Sequence, residues 1–115
     1  MKELLTILKL LGDESRLRIF LMLKERPLCV CEIDKVLDIA LSTLSQHLKM
    51  MKSAGIITDR KEGRWVFYSV NRASDLATRV MDFIDRELGT HRQVIRDRKR
   101  TSDLSREICC PRPGG

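Results

Sequence analysis

Aromatic side chains are scarce in this sequence: one Trp, one Tyr and three Phe make up 4% of its 115 residues. A core must therefore be packed from Leu, Ile and Met, which favours a helix-rich fold. No nucleophile paired with a base, no phosphate-binding loop and no metal–histidine cluster is present, so an enzyme is not expected. There is also no long hydrophobic run. The N-terminal stretch Leu4-Leu5-Thr6-Ile7-Leu8-Lys9-Leu10-Leu11 is too short to span a bilayer. It carries Glu3 where a signal peptide wants basic residues, and it lacks a small-residue cleavage site, so a cytoplasmic protein is expected. Internal repeats are absent, and the length suits a single domain.

Positive charge, by contrast, is in excess. Lys and Arg number 22 against 16 Asp and Glu, for a net charge of +6 and an isoelectric point near 9.5. The balance favours a polyanionic partner. Residues 1–41 hold seven charges of each sign, whereas residues 42–72 hold six basic and two acidic side chains. The excess is concentrated in the middle of the chain.

Apolar spacing gives the elements. Leu4, Ile7, Leu8 and Leu11 predict a first helix ending near Gly12. Asp13 is a good N-cap for a second, with Leu17, Phe20, Leu21 and Leu23 as its stripe and Pro27 as its stop. A helix over Cys31–Leu37, a break at Asp38-Ile39-Ala40 and a helix carrying Leu44, Leu48 and Met51 up to Gly55 suggest a helix-turn-helix. Ile56–Arg60 and Arg64–Val70 are rich in β-branched and aromatic residues and flank Lys61-Glu62-Gly63, read as a hairpin turn. Leu76, Val80, Phe83, Ile84 and Leu88 mark a last helix from about Asp75 to Gly89. Residues 91–115, with little apolar content, are expected to form a basic, cysteine-containing, largely flexible tail behind a domain at 1–90.

The run Leu41-Ser42-Thr43-Leu44-Ser45-Gln46-His47-Leu48-Lys49, then Ala54-Gly55-Ile56 and Glu62-Gly63-Arg64-Trp65-Val66-Phe67-Tyr68, resembles the ArsR-type (ArsR/SmtB) metalloregulatory repressors over roughly residues 3–90. The resemblance implies a mostly α fold with a small β-hairpin, a dimeric winged helix-turn-helix in the order α-α-α-α-β-β-α, that binds double-stranded operator DNA. The chain departs from the family where a polar Ser-Gln pair usually opens the recognition helix, for Ala40 and Leu41 stand there. The helical spacing by itself puts Ser42, Thr43, Ser45, Gln46 and Lys49 opposite the core, polar and short enough to reach base edges. Arg60, Lys61 and Arg64 on the hairpin are candidates for phosphate or minor-groove contact. His47 reads as a packing residue, and Met22, Met50, Met51 and Met81 as core filler. The stripes of the first and last helices exceed what so small a core needs and are expected to form a homodimer seam.

Four cysteines in a cytosolic chain point to metal, metalloid or redox chemistry. In arsenic-responsive members of the family a Cys-Val-Cys stretch, with a third Cys three residues on, supplies thiolates for As(III) or Sb(III). Here Cys29-Val30-Cys31 matches, but the third position is Asp34, a hard oxygen donor. The expected ligand set is therefore Cys29, Cys31, Cys109 and Cys110, the last two from either chain of a dimer. A helix N-terminus is expected to favour thiolate at Cys29 and Cys31. Alternatives on the same frame are a Cd(II), Pb(II) or Zn(II) sensor using four thiolates, and a thiol-redox sensor. The family's His-based zinc site is not expected, since only His91 accompanies Asp82 and Asp85.

Overall fold

The structure, a computed structural model, describes residues 1–104. Its elements are α1 (Lys2–Leu11), α2 (Glu14–Leu23), β1 (Leu28–Cys29), α3 (Val30–Val36), α4 (Leu41–Ser53), β2 (Ile57–Glu62), β3 (Trp65–Val70), α5 (Asp75–Leu88) and α6 (Arg92–Asp103). The expected winged helix-turn-helix is present, with β1 and α6 as additions. Asp13 caps α2 by accepting the Arg16 backbone N–H at 3.1 Å. Ile19, Phe20, Leu21, Met22 and Leu23 of α2 are all buried, and Ile33, Leu37, Leu44, Leu48 and Met51 pack around them. Gly55, with φ +80°, turns the chain out of α4 and into the sheet.

The sheet is antiparallel in the order β1-β3-β2. Leu28 and Cys29 pair with Tyr68 and Phe67, so the chain just before α3 forms a third strand on the hairpin. The hairpin turn starts two residues later than the sequence suggested, because Lys61 and Glu62 belong to β2. Lys61 pairs with Val66 and Glu62 with Trp65, leaving Gly63-Arg64 as a two-residue loop. Gly63 has φ +60°, as the first position of a type II′ turn requires.

The expectation of a flexible tail from residue 91 is overturned for residues 92–103. Helix α6 folds back on α2 and α3, burying Val94, Asp97 and Thr101 on one side. Polar contacts anchor it. The Arg18 guanidinium donates two 2.9 Å hydrogen bonds to the Asp97 carboxylate, and Gln93 Nε2 donates a third at 2.9 Å. Arg98 caps the end of α2 through the Leu21 carbonyl at 3.0 Å and pairs with Asp85 at 2.7 Å. Hydrophobic periodicity carries no trace of such contacts, which is why the segment reads as tail. A groove of about 480 Å³ between α1 and α5 is lined by Leu4, Leu8, Leu11, Leu17, Val80 and Phe83, among others. Leu8 is 54% and Phe83 61% exposed.

Asp97→Ala strands Arg18 at a largely buried site and should cost about 2–4 kcal/mol in urea unfolding. Arg96→Ala, on the exposed face of the same helix, should stay within about 0.5 kcal/mol. Burial alone would raise the Asp85 carboxyl, but Arg98 and Lys24 outweigh it and hold it below the ordinary carboxylate value. A depressed carboxyl contributes stability at neutral pH that is lost as pH falls through the folded-state value. Asp85→Asn should accordingly make stability less sensitive to acid.

Candidate nucleic-acid interface and thiol site

Helix α4 has two faces. Leu44, His47, Leu48 and Met51 are buried, while Ser42, Thr43, Ser45, Gln46 and Lys49 are all exposed, so the five expected readers share the water-facing side. The rotation of α4 about its axis is set by more than leucine packing. The Arg16 guanidinium meets His47 Nδ1 at 3.2 Å and donates through Nε to the Leu10 carbonyl at 2.6 Å. His47 Nε2 lies 4.0 Å from Asp13 Oδ1. The Arg16 backbone N–H, with Arg16 and His47 charge behind it, holds Asp13 below its ordinary value against the effect of burial. His47 is a packing residue that ties α4 to the α1–α2 corner. At the start of α4, Ala40 offers no side-chain cap, unlike Asp13 on α2, Ser74 on α5 and His91 on α6. The first-turn N–H groups are thereby left for an external acceptor.

The hairpin extends beyond α4, with Arg60, Lys61 and Arg64 all exposed. Lys52 pairs with Asp59 at 2.9 Å, joining α4 to β2. Arg60 pairs with Glu62 at 2.9 Å, so part of its charge is already engaged. As neighbours on a strand, Arg60 and Lys61 point to opposite faces of the ribbon.

The two cysteines of the helix-turn-helix are adjacent but not equivalent. Cys29 ends β1, caps α3, is buried and carries a reduced thiol, whereas Cys31 is half-buried in the first turn of α3 and is disulfide-bonded. Around Cys29 and Phe67 pack Cys31, Trp65 and Leu104, the last described residue. Glu32 closes a capping box: its Oε1 accepts the Cys29 backbone N–H at 3.1 Å. Its Oε2 takes Arg26 at 2.7 Å, and the same Arg26 nitrogen donates to the Thr101 carbonyl at 2.7 Å and the Leu104 carbonyl at 3.2 Å. The end of α6 is thus held beside Cys29 and Cys31.

Thiolate is not favoured at Cys29. Burial pushes its thiol up, and the Glu32 carboxylate adds to this, outweighing the backbone N–H groups that lower it. The expectation drawn from helix position alone fails because desolvation at a buried sulfur exceeds the end-of-helix effect. Asp34 is exposed on α3, and Cys109 and Cys110 lie outside the described residues. Among the described residues no three His, Cys, Asp or Glu side chains are grouped to hold a metal ion. Asp85 is committed to Arg98 and Lys24, and His91 Nδ1 to the Gln93 N–H.

The family described as "Bacterial regulatory protein, arsR family" matches residues 13–59, from the cap of α2 into β2. The arsenical resistance operon repressor of Escherichia coli is 41% identical over 66 residues, 56% of this chain and 56% of that protein. The cadmium resistance transcriptional regulatory protein CadC of Listeria innocua is 38% identical over 63 residues, 54% of this chain and 53% of that one. The structure of HlyU from Vibrio cholerae superposes with a TM-score of 0.70 at 30% identity, covering 77% of this chain and 95% of that one. The chain belongs to the ArsR family. It is a family of regulatory proteins and not of enzymes. The chain spans little more than half the length of the two curated relatives. No helix among the described residues of this ArsR-family chain is long and apolar enough to cross a membrane.

Three participants escaped the reading of the sequence: Arg26, Glu32 and Leu104. Glu32 had a usable signal, since a carboxylate three residues after an N-cap is the capping-box pattern. Arg26 and Leu104 had none, because they meet only when α6 folds back. In the native protein Cys29 should react with iodoacetamide more slowly near neutral pH than after unfolding in urea, and its rate should keep rising with pH beyond the ordinary thiol range. Equal rates in the folded and unfolded protein would contradict the buried, protonated thiol.

Proposed function

We propose that the protein is a homodimeric transcriptional repressor that leaves its operator when As(III) or Sb(III) is bound by Cys29, Cys31 and one or both of Cys109 and Cys110. The observation that carries this reading is the packing of Leu104 against the Cys29–Phe67 cluster. From there Cys109 is five residues on, within a reach of about 17 Å of extended chain. Once a small cellular thiol such as glutathione has reduced the Cys31 disulfide by thiol–disulfide exchange, three soft thiols suit a trivalent thiophilic ion better than two thiols and the Asp34 carboxylate.

Protonation separates the candidate inducers. Arsenous acid and three thiols give three As–S bonds and three waters, with no net proton released. A divalent cation must instead displace a proton from every thiol it takes. The burial that disfavours thiolate at Cys29 therefore weighs against Cd(II), Pb(II) or Zn(II) and not against As(III). Similarity to CadC supports cadmium as the second reading.

On the DNA side, Ser42, Thr43, Ser45, Gln46 and Lys49 would face the major groove, and Arg60, Lys61 and Arg64 the backbone or minor groove. A second copy of the chain would cover the apolar groove between α1 and α5. Release follows from the capping role of Cys29. Residues at i and i+2 do not share a helix face, so gathering Cys29 and Cys31 on one ion removes the α3 cap and distorts its first turn. Helix α3 packs against α4, and misplacing α4 by this route corresponds to a coupling of roughly 1–3 kcal/mol between inducer and operator.

A chain ending at Arg106 keeps α6 and should bind operator normally while losing most of its response to arsenite, read by fluorescence anisotropy. Release at the same arsenite concentration as the intact protein would remove Cys109 and Cys110 from the site; release by cadmium alone would favour the second reading. Gln46→Ala should weaken operator binding by about 1–3 kcal/mol and leave binding to random DNA nearly unchanged. Equal loss on both would show that Gln46 does not read bases.

A further inference from the structure

Leu41 is the first residue of α4, and 57% of its surface is exposed. It belongs to neither apolar cluster of the core. Its exposed neighbours in the first turns are Ser42, Thr43 and Ser45, which would face DNA, and the residue before it, Ala40, is exposed as well. The helix therefore opens with two apolar side chains, followed by a run of short polar ones. We propose that Leu41 reads a thymine C5-methyl group in each operator half-site. The assignment rests on α4 being the helix that enters the major groove.

Three considerations converge on thymine. The N-terminal turn of a groove-bound helix is the part that meets base edges. A leucine has neither donor nor acceptor, so against guanine O6 and N7, adenine N6 or cytosine N4 it would dry a polar edge without replacing its lost hydrogen bond. Thymine alone carries an apolar group on that edge. The uncapped first turn adds a means of holding the side chain there. With no cap from Ala40, the N–H groups of Leu41, Ser42 and Thr43 are donors for a backbone phosphate, which would seat the helix end against the groove. A single exposed leucine is otherwise ordinary on a protein surface, and the experiment separates the two situations.

The probe is duplex DNA selected by the full-length protein from a randomised pool, in which each thymine of the bound half-site is replaced singly by deoxyuridine, removing only the methyl group. One such replacement should weaken the wild-type protein about three- to tenfold. Leu41→Ala should bind the thymine and uracil versions of that position equally, whereas Gln46→Ala should keep the preference. Because Leu41 is exposed, Leu41→Ala should unfold at the wild-type urea midpoint. The assignment is overturned if no deoxyuridine position affects the wild type, or if Leu41→Ala retains the preference. If Gln46→Ala alters base preference and Leu41→Ala does not, Leu41 falls and the groove reading of α4 stands. If neither variant alters base preference at any position, both fall together.

Discussion

A carboxylate wholly removed from water needs a counter-charge at hydrogen-bond distance, and Glu32, with no solvent exposure, has Arg26 at 2.7 Å. The arrangement of β1, α3 and the end of α6 hangs on that pair. One carboxylate oxygen fixes the start of α3 through the Cys29 N–H, and the Arg26 nitrogen that satisfies the other also grips the last carbonyls of α6. The entry to the helix-turn-helix, the wing strand beside it and the end of the C-terminal helix are therefore one assembly. Cys29 sits at its centre. Any displacement of the Cys29 sulfur has to disturb a capping box, a strand pair and an ion pair at once.

Helix α4 is held by a second, smaller network. Leu44, Leu48 and Met51 supply the driving force for packing, but a leucine stripe tolerates some rotation of a helix. His47, wedged against Arg16 and near Asp13, removes that freedom, because Arg16 is itself tied to the end of α1 through the Leu10 carbonyl. The α1–α2 corner, which lies next to the apolar groove between α1 and α5, is thereby in direct contact with the face opposite Ser42 and Gln46. A displacement of that corner would be transmitted to α4 by hydrogen bonds of defined direction and not by soft packing alone.

Local pattern was enough for much of this. The 3.6-residue stripes of α1, α2, α4 and α5, the Asp13 cap, the change to β-branched residues at Ile56 and the exposure of all eight candidate DNA contacts follow from choices made within a few residues of each site. The start of the hairpin turn was misplaced by two residues because Lys61 and Glu62 have no propensity that forbids a strand, and only the pairing of Glu62 with Trp65 decides the register.

What the sequence determined by itself is what short-range sterics and apolar periodicity determine: the helix-turn-helix with its wing, the polar face of α4 and the placing of two cysteines at the head of α3. What tertiary structure alone decided is governed by burial and by contacts between distant residues. Helix α6 is too polar to announce itself, and it is fastened by Asp97 to Arg18, 79 residues away. The protonation of Cys29 follows the same logic. Its position at a helix N-terminus is local and favours thiolate, but the buried setting shared with Phe67, Glu32 and Leu104 exists only in the folded chain, and desolvation of a charge outweighs the helix end.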